Sequence, residues 1–443
     1  MAGFGFTPND PDDSNENQNR ENLEAMMRQM QEQIKAQFDQ LGISSGLAGL
    51  GIPGFGAADG KVEVLPLATV RDIAKKFAVA QGSQPLGTKD LTAINNACEI
   101  ADIWLNEATL FPATSSSLPR ATSRLDWIDA TLPGWQATME PLAAGLAAAI
   151  SRLLDDAMSG DATNGDATNG DGGAQESPIP IGAIAGLLKS FIGSMIATQL
   201  GQAIGAISAS AVGAHDAGLP ILEPARPLLI PENIDLWGAD TEIAKTEVYL
   251  FHALREGAIA RLFEHNPWIV SYIRSAIVEY GTGIKIDLEA IQRQAEEAMS
   301  NGANEISIAL DAGIFTPEET PAQRAALSKL ETVLALVDGW ADDVATLAAG
   351  DRLPAITALR ELQRRSRATS APSQQLFKTM LGLEVSPKLS REASAFWNHV
   401  RTAKDIAARD NIWSGILPSA TELLAPDLFL ASTQIPDDLS GLI

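Results

Sequence analysis

The sequence predicts a mostly α fold, a single large helical domain over about 62–443 behind a disordered tail at 1–61. Three observations predict it. Long segments, at 70–80, 90–108, 135–158 and 321–349, repeat apolar residues with helical spacing. Alternation of Val, Ile and Thr with polar residues is scarce, so any sheet must be small. Two tetrapeptides, Thr316-Pro317-Glu318-Glu319 and Thr320-Pro321-Ala322-Gln323, stand just before an apolar run. Each offers a capping hydroxyl, a proline at the first helical position and an acid or amide at the third.

Within the tail, 1–20 is rich in Asn and Asp and is expected to be unstructured. It has no basic stretch followed by an apolar one, so no secretory signal is expected there. Residues 21–41, rich in Met, Gln and Glu, predict one short helix, and 44–60 is a Gly-rich linker. Within the domain, 158–179 predicts an exposed loop, because it holds the tandem repeat Asp-Ala-Thr-Asn-Gly from Asp161.

The segment 190–214 has no charged residue and is long enough for a bilayer, which takes about 20 apolar residues. Thr198, Gln199, Gln202 and several serines dilute it. Gly193, Ala197, Gly201, Gly205 and Ala209 recur four apart, beside Ile192, Ile196, Leu200 and Ile204. A flat edge next to a bulky one suits a buried helix packed closely on its neighbours, not a membrane span. Further on, 241–264 predicts a helix capped by Asp240 or Thr241, 267–280 a second stopped by Gly281, and 321–349 a third stopped by Gly350.

With 56 acidic and 32 basic residues, net charge is −24, which argues against nucleic-acid binding. The single Cys98 excludes an internal disulfide and a thiolate zinc cluster, and a cytoplasmic location is the simplest expectation. Arg360, Arg364, Arg365 and Arg367 read as a solvated helix face, with an anion or partner contact as the alternative.

Two glycines fall inside predicted helices, Gly257 after Glu256 and Gly339 after Asp338. A mid-helix glycine costs about 1 kcal/mol relative to alanine, and close approach of two backbones would offset it. The two helices are therefore expected to cross with Glu256 and Asp338 near the crossing. Among the four histidines, His252 and Glu256 are four apart and could share a metal, although a polar pair on a helix surface is the plainer reading. His265 stands at a helix end, where a capping role fits. His215 and His399 have no local partner of ligand type.

The stretches SFIGSMIATQLGQAIG, LREGAIARLFEHNPWIVSYIRSAIVEYGTGIKID, LVDGWADDVATLAAGDRLPAITALRELQRRSRAT and LFKTMLGLEVSPKLSREASAFW, with ADIWLNEAT and WIDATLPGW before them, resemble successive blocks of the zincin-like hydrolases of actinobacteria, kin to zinc metalloproteases. The likeness is collinear over about 62–430. It implies zincin-like central helices. Zinc-binding relatives carry His-Glu-x-x-His on the first of these, two ligands one turn apart with a glutamate that activates the metal-bound water. Here that block reads Arg255-Glu256-Gly257-Ala258-Ile259. The resemblance puts the general base at Glu256 and histidine ligands at Arg255 and Ile259. A later Glu-Gly-His block, with a further ligand, becomes Asp338-Gly339-Trp340. No zinc or other cofactor is therefore expected, and Arg255 is expected to stand in for the metal by bridging Glu256 and Asp338, within salt-bridge distance of an acid on the later helix, Asp338 first and Asp342 second. Arg255, Asp338 and Trp340 are the candidate binding residues, with a protein or peptide partner. Three functions stay open: a non-catalytic binding or scaffold protein, a hydrolase using Glu256 with non-standard ligands, and a metal-free hydrolase using Glu256 and Asp338.

Overall fold

The computed structural model describes residues 65–161, 181–216, 218–282, 320–370 and 389–432. The expected tail with its helix at 21–41 lies outside them. The described residues form twelve α-helices with no named strand. In order these are α1 (Leu67–Ala80), α2 (Thr88–Leu105), α3 (Arg124–Asp161), α4 (Ile181–Ser210), α5 (Pro231–Gly238), α6 (Lys245–His265), α7 (Pro267–Thr282), α8 (Pro321–Ala349), α9 (Ile356–Ser370), α10 (Ser390–Ala403), α11 (Ile406–Asn411) and α12 (Pro426–Ser432).

The centre is α6. Every residue from 251 to 263 is buried, so this helix is encased on all sides rather than half-solvated. It packs on α2 and α8, and α8 packs in turn on α7 and α10. His252, Arg255, Glu256 and Arg261 ride inside this encased helix. Four buried polar side chains on one helix each need a partner, since burying such a group unpaired costs several kcal/mol.

The Thr320 capping box forms as expected. Thr320 accepts from the Gln323 backbone N–H at 3.2 Å and Gln323 accepts from the Thr320 N–H at 3.0 Å, and α8 spans the expected residues. The cap expected at Asp240 or Thr241 does not form. Thr241 instead closes the preceding turn by donating to the Gly238 carbonyl at 2.7 Å, and α6 starts later, behind Ala244. The loop expected over 158–179 begins later too, because α3 continues to Asp161, and 162–179 lies outside the described residues. α3 also runs through Pro133 and Pro141, where the sequence pattern predicted a start at 135. Trp127, Ile128, Leu132 and Trp135 are buried on either side of Pro133. Their packing outweighs the interior-proline penalty of about 3 kcal/mol.

α4 is the buried helix its small-residue edge predicted, ending at Ser210 rather than at 214. No helix among the described residues is long and apolar enough to cross a membrane. A Cβ on Gly201 would stand 2.9 Å from the Val70 carbonyl oxygen, and one on Gly205 would stand 2.8 Å from that of Ala74. The glycine edge therefore lies directly on the α1 backbone. Gly201→Leu should cost about 1–3 kcal/mol or more by overpacking, read as a lower midpoint in urea unfolding. A midpoint equal to wild type would contradict this packing.

The two mid-helix glycines do not meet each other. Gly257 faces Leu105 of α2, where an added Cβ would be 3.0 Å from Cδ1. Gly339 faces α10, where it would be 2.6 Å from the Ser394 nitrogen. The two helices do pack on each other as expected, but neither glycine serves that contact: Gly257 faces α2 and Gly339 faces α10.

Candidate functional site

Two polar constellations surround Arg255 and Glu256. Consecutive residues on a helix diverge by roughly 100°, so these two side chains point to different neighbours.

Glu256 projects into a junction of short extended segments. Residues 212–214 and 228–230 pair there, with Ala214 N–H donating to the Leu228 carbonyl at 2.9 Å and Ile230 N–H to that of Val212 at 2.9 Å. The carboxylate accepts from the backbone N–H groups of Ala214 at 3.0 Å, His215 at 3.2 Å and Leu228 at 3.3 Å. His215 Nδ1 adds a fourth donor at 2.9 Å. Gly213 leaves the room this needs, since a Cβ there would stand 2.5 Å from Glu256 Oε2. Glu256 is 4% exposed and His215 fully buried, with its Nε2 beside the Phe263 ring and without a partner among the described residues. The carboxylate thus ties α6 to the 211–230 segment.

Arg255 turns toward α8. Its Nη2 lies 2.6 Å from Asp338 Oδ1 and its Nη1 3.6 Å from Asp342 Oδ1. It therefore reaches the two acids expected from the later helix, Asp338 closest and Asp342 second, while the expected bridge to Glu256 does not form. The cause is the helical turn that sends Glu256 to the loop instead. Around this pair α9 contributes three more guanidinium groups. Arg360 takes Asp342 with both Nε at 3.0 Å and Nη2 at 2.6 Å. Arg364 adds a contact to Asp342 at 3.3 Å. Arg367 reaches Asp216 Oδ1 at 2.7 Å, Asp338 Oδ1 at 3.8 Å and the Asp216 carbonyl. Ser394 of α10 donates to Asp342 at 2.6 Å. Burial opposes the charge on Asp342, but the hydrogen bonds and charges of Arg360 and Arg255 outweigh it and hold its pKa at about 2.

The remaining candidates fall elsewhere. His252 is buried and does not pair with Glu256. Burial, then the charges of Arg255 and Arg367, lower its pKa to about 3, so it stays neutral, edge-on to Trp237. Trp340, expected among the binding residues, lies in the core. It is fully buried, touches Trp413 and Phe111, and donates to Asp410 at 2.9 Å. Asp410 in turn pairs with the buried Arg409, which also holds Asp343 at 2.8 Å. His265 contacts the Pro112 carbonyl at 3.2 Å, and His399 pairs with Asp427 at 2.7 Å. Cys98 is buried, which pushes its thiol up to about 12. Of the arginine run, Arg365 keeps to the expected exposed face, pairing with Glu361, and Arg364 stays part-exposed, while Arg360 and Arg367 turn inward.

The sequence of residues 67–430 matches the family described as zincin-like metallopeptidase. The chain belongs to that family. Its fold resembles the crystal structure of a candidate hydrolase with a novel fold from Chloroflexus aurantiacus, at a TM-score of 0.55 and 16% identity, covering 83% of this chain and 98% of that one. No curated protein matches the sequence. For a zincin-like metallopeptidase the test of the site is whether its donors suit zinc, which takes nitrogen, sulfur or carboxylate oxygen from three or four side chains. Among the described residues, no three His, Cys, Asp or Glu side chains gather into such a set. Ile259 is 4% exposed and ends in carbon. Arg255 brings a fixed positive charge, and Glu256 points its carboxylate into the buried junction, where four donors converge on Oε1 while Oε2 shares the His215 N–H at 3.2 Å and faces Gly213. These residues do not fit a zinc ion.

Sequence reading missed His215, Asp216 and the inward turn of α9. His215 lies 41 residues from Glu256, and nothing local marks the pair. The one available signal for α9 was the spacing of Arg360, Arg364 and Arg367 on a single face.

Proposed function

We propose that this zincin-like metallopeptidase family member is non-catalytic and acts as a binding or scaffold protein for a protein or peptide partner, with its HExxH-type motif degenerate at Arg255 and Ile259. The observation that carries the reading is the fate of Glu256. A general base in this chemistry needs a free oxygen directed at a metal-bound water. Here three backbone N–H groups and His215 Nδ1 hold Oε1, and Oε2 shares the His215 N–H at 3.2 Å and faces Gly213, so the carboxylate points into a buried junction. Arg255 supplies the positive charge beside Asp338 and Asp342, so the cation is replaced by a guanidinium rather than simply lost. The metal-free alternative, acid chemistry through Glu256 and Asp338, gains no support from this geometry, because it too requires Glu256 to be free. The single, buried Cys98 agrees with a reducing, cytoplasmic setting.

A thermal-shift series tests the reading. A ligand that binds only the folded state raises the melting temperature with its concentration. Added zinc should leave the melting temperature unchanged, and so should a chelator. A saturable rise with zinc, reversed by the chelator, would overturn the proposal.

A further inference from the structure

We infer that Arg226 anchors a binding site for a carboxylate, and that the ligand is an organic acid, free or carried on a peptide. Arg226 belongs to neither of the constellations around Arg255 and Glu256, and its site stands whether or not the chain is catalytic.

Five arginines are buried among the described residues, and four of them hold a carboxylate. Arg124 pairs with Glu232, Arg255 with Asp338, Arg261 with Asp102, and Arg409 with Asp343 and Asp410. Arg226 is the fifth. It is 8% exposed, and its one hydrogen bond among the described residues runs from Nε to the Pro119 carbonyl at 3.4 Å. Its two Nη groups meet no acceptor there, yet neither is sealed from solvent. Burial alone lowers its pKa, with no neighbouring acid to raise it. The acids close by in the chain are engaged elsewhere. Glu223 pairs with Arg274, and Asp102, which reaches the residue after Pro119, pairs with Arg120 and Arg261.

A charge taken out of water without a counter-charge is costly, so a guanidinium held this way calls for an anion from outside. Three features choose which anion. A single cation is neutralised by a monoanion, whereas a phosphate dianion would leave excess negative charge in a chain that already carries −24. Two free Nη groups form a planar fork that fits the two oxygens of a carboxylate. Leu118, the residue before Pro119, is 48% exposed and offers an apolar contact to the carbon chain of an organic acid. The backbone beneath is fixed, because Leu229 N–H donates to the Arg120 carbonyl at 2.8 Å and Thr122 N–H to that of Leu229 at 2.9 Å. The fork is therefore in place before a ligand arrives, which lowers the ordering cost of binding.

The test is a melting series on the full-length chain in sodium acetate, against sodium chloride at equal ionic strength. A ligand of the folded state raises the melting temperature with its concentration. Acetate should raise that of wild type beyond the chloride series and then saturate, and Arg226→Met should show no such rise. No rise in wild type, or the same rise in both proteins, overturns the inference, since the second outcome is a general salt effect. If Arg226→Met fails to fold, Arg226→Lys decides. It keeps the charge but loses the fork, so half-saturation should need several-fold more acetate. A lysine variant that responds like wild type overturns the inference. A second series with N-acetylaspartate α-amide separates the two sources of the carboxylate. Half-saturation below that of acetate assigns an acid carried on a peptide, and half-saturation above it assigns a free acid.

Discussion

Replacing Glu256 with alanine should destabilise the chain by at least about 4 kcal/mol, a loss in the exceptional range for one substitution. The figure follows from the donors left behind. The N–H groups of Ala214, His215 and Leu228 and the Nδ1 of His215 all end on this carboxylate. A buried donor without an acceptor costs about 1–3 kcal/mol, and four are stranded together. Water cannot readily replace the carboxylate, because Glu256 is 4% exposed and His215 fully buried. Glu256→Gln should fall between the two, since its amide keeps the shape but turns a second donor toward the N–H groups. Urea unfolding measures both. A Glu256→Ala midpoint within experimental error of wild type would mean that the carboxylate is not structural, and the general-base role would return.

The second large effect is expected at Arg255. Arg255→Ala strands Asp338 and Asp342 on α8, and breaking a buried pair by removing one partner costs about 3–5 kcal/mol. Arg360 and Arg364 remain on Asp342, so most of the loss should come from Asp338, which among the described residues keeps only the 3.8 Å contact with Arg367. This predicts strong coupling in a double-mutant cycle. Once Asp338→Asn is present, Arg255→Ala should cost clearly less than it does alone. Additive losses would contradict the pairing.

The sequence and the structure agree where the physics is local. The Thr320 capping box, the α8 boundaries and the small-residue edge of α4 all depend on residues within a few positions of one another. The Arg255–Asp338 pair is also legible, because a cation at a family ligand position has few partners other than the acids of the later helix once the two helices are brought together. Legibility stops where partners are remote and the choice is geometric. Whether Arg255 or Glu256 faces α8 is decided by the rotation of α6, which depends on how all its neighbours encase it. The same holds for Trp340, whose side chain could line a site or fill a core, and which Asp410, 70 residues on, fixes in the core. Arg360, Arg364 and Arg367 looked like a solvated face because nothing in their own segment is acidic enough to hold them. Their partners, Asp216, Asp338 and Asp342, come from other elements.

The central claim is that a guanidinium stands where zinc-binding relatives place a metal, and elemental analysis of the protein after native purification, without added metal or chelator, tests it most directly. The account predicts zinc far below one per chain, and a melting temperature that dialysis against a chelator does not change. About one zinc per chain, removed by the chelator together with a loss of thermal stability, would contradict it.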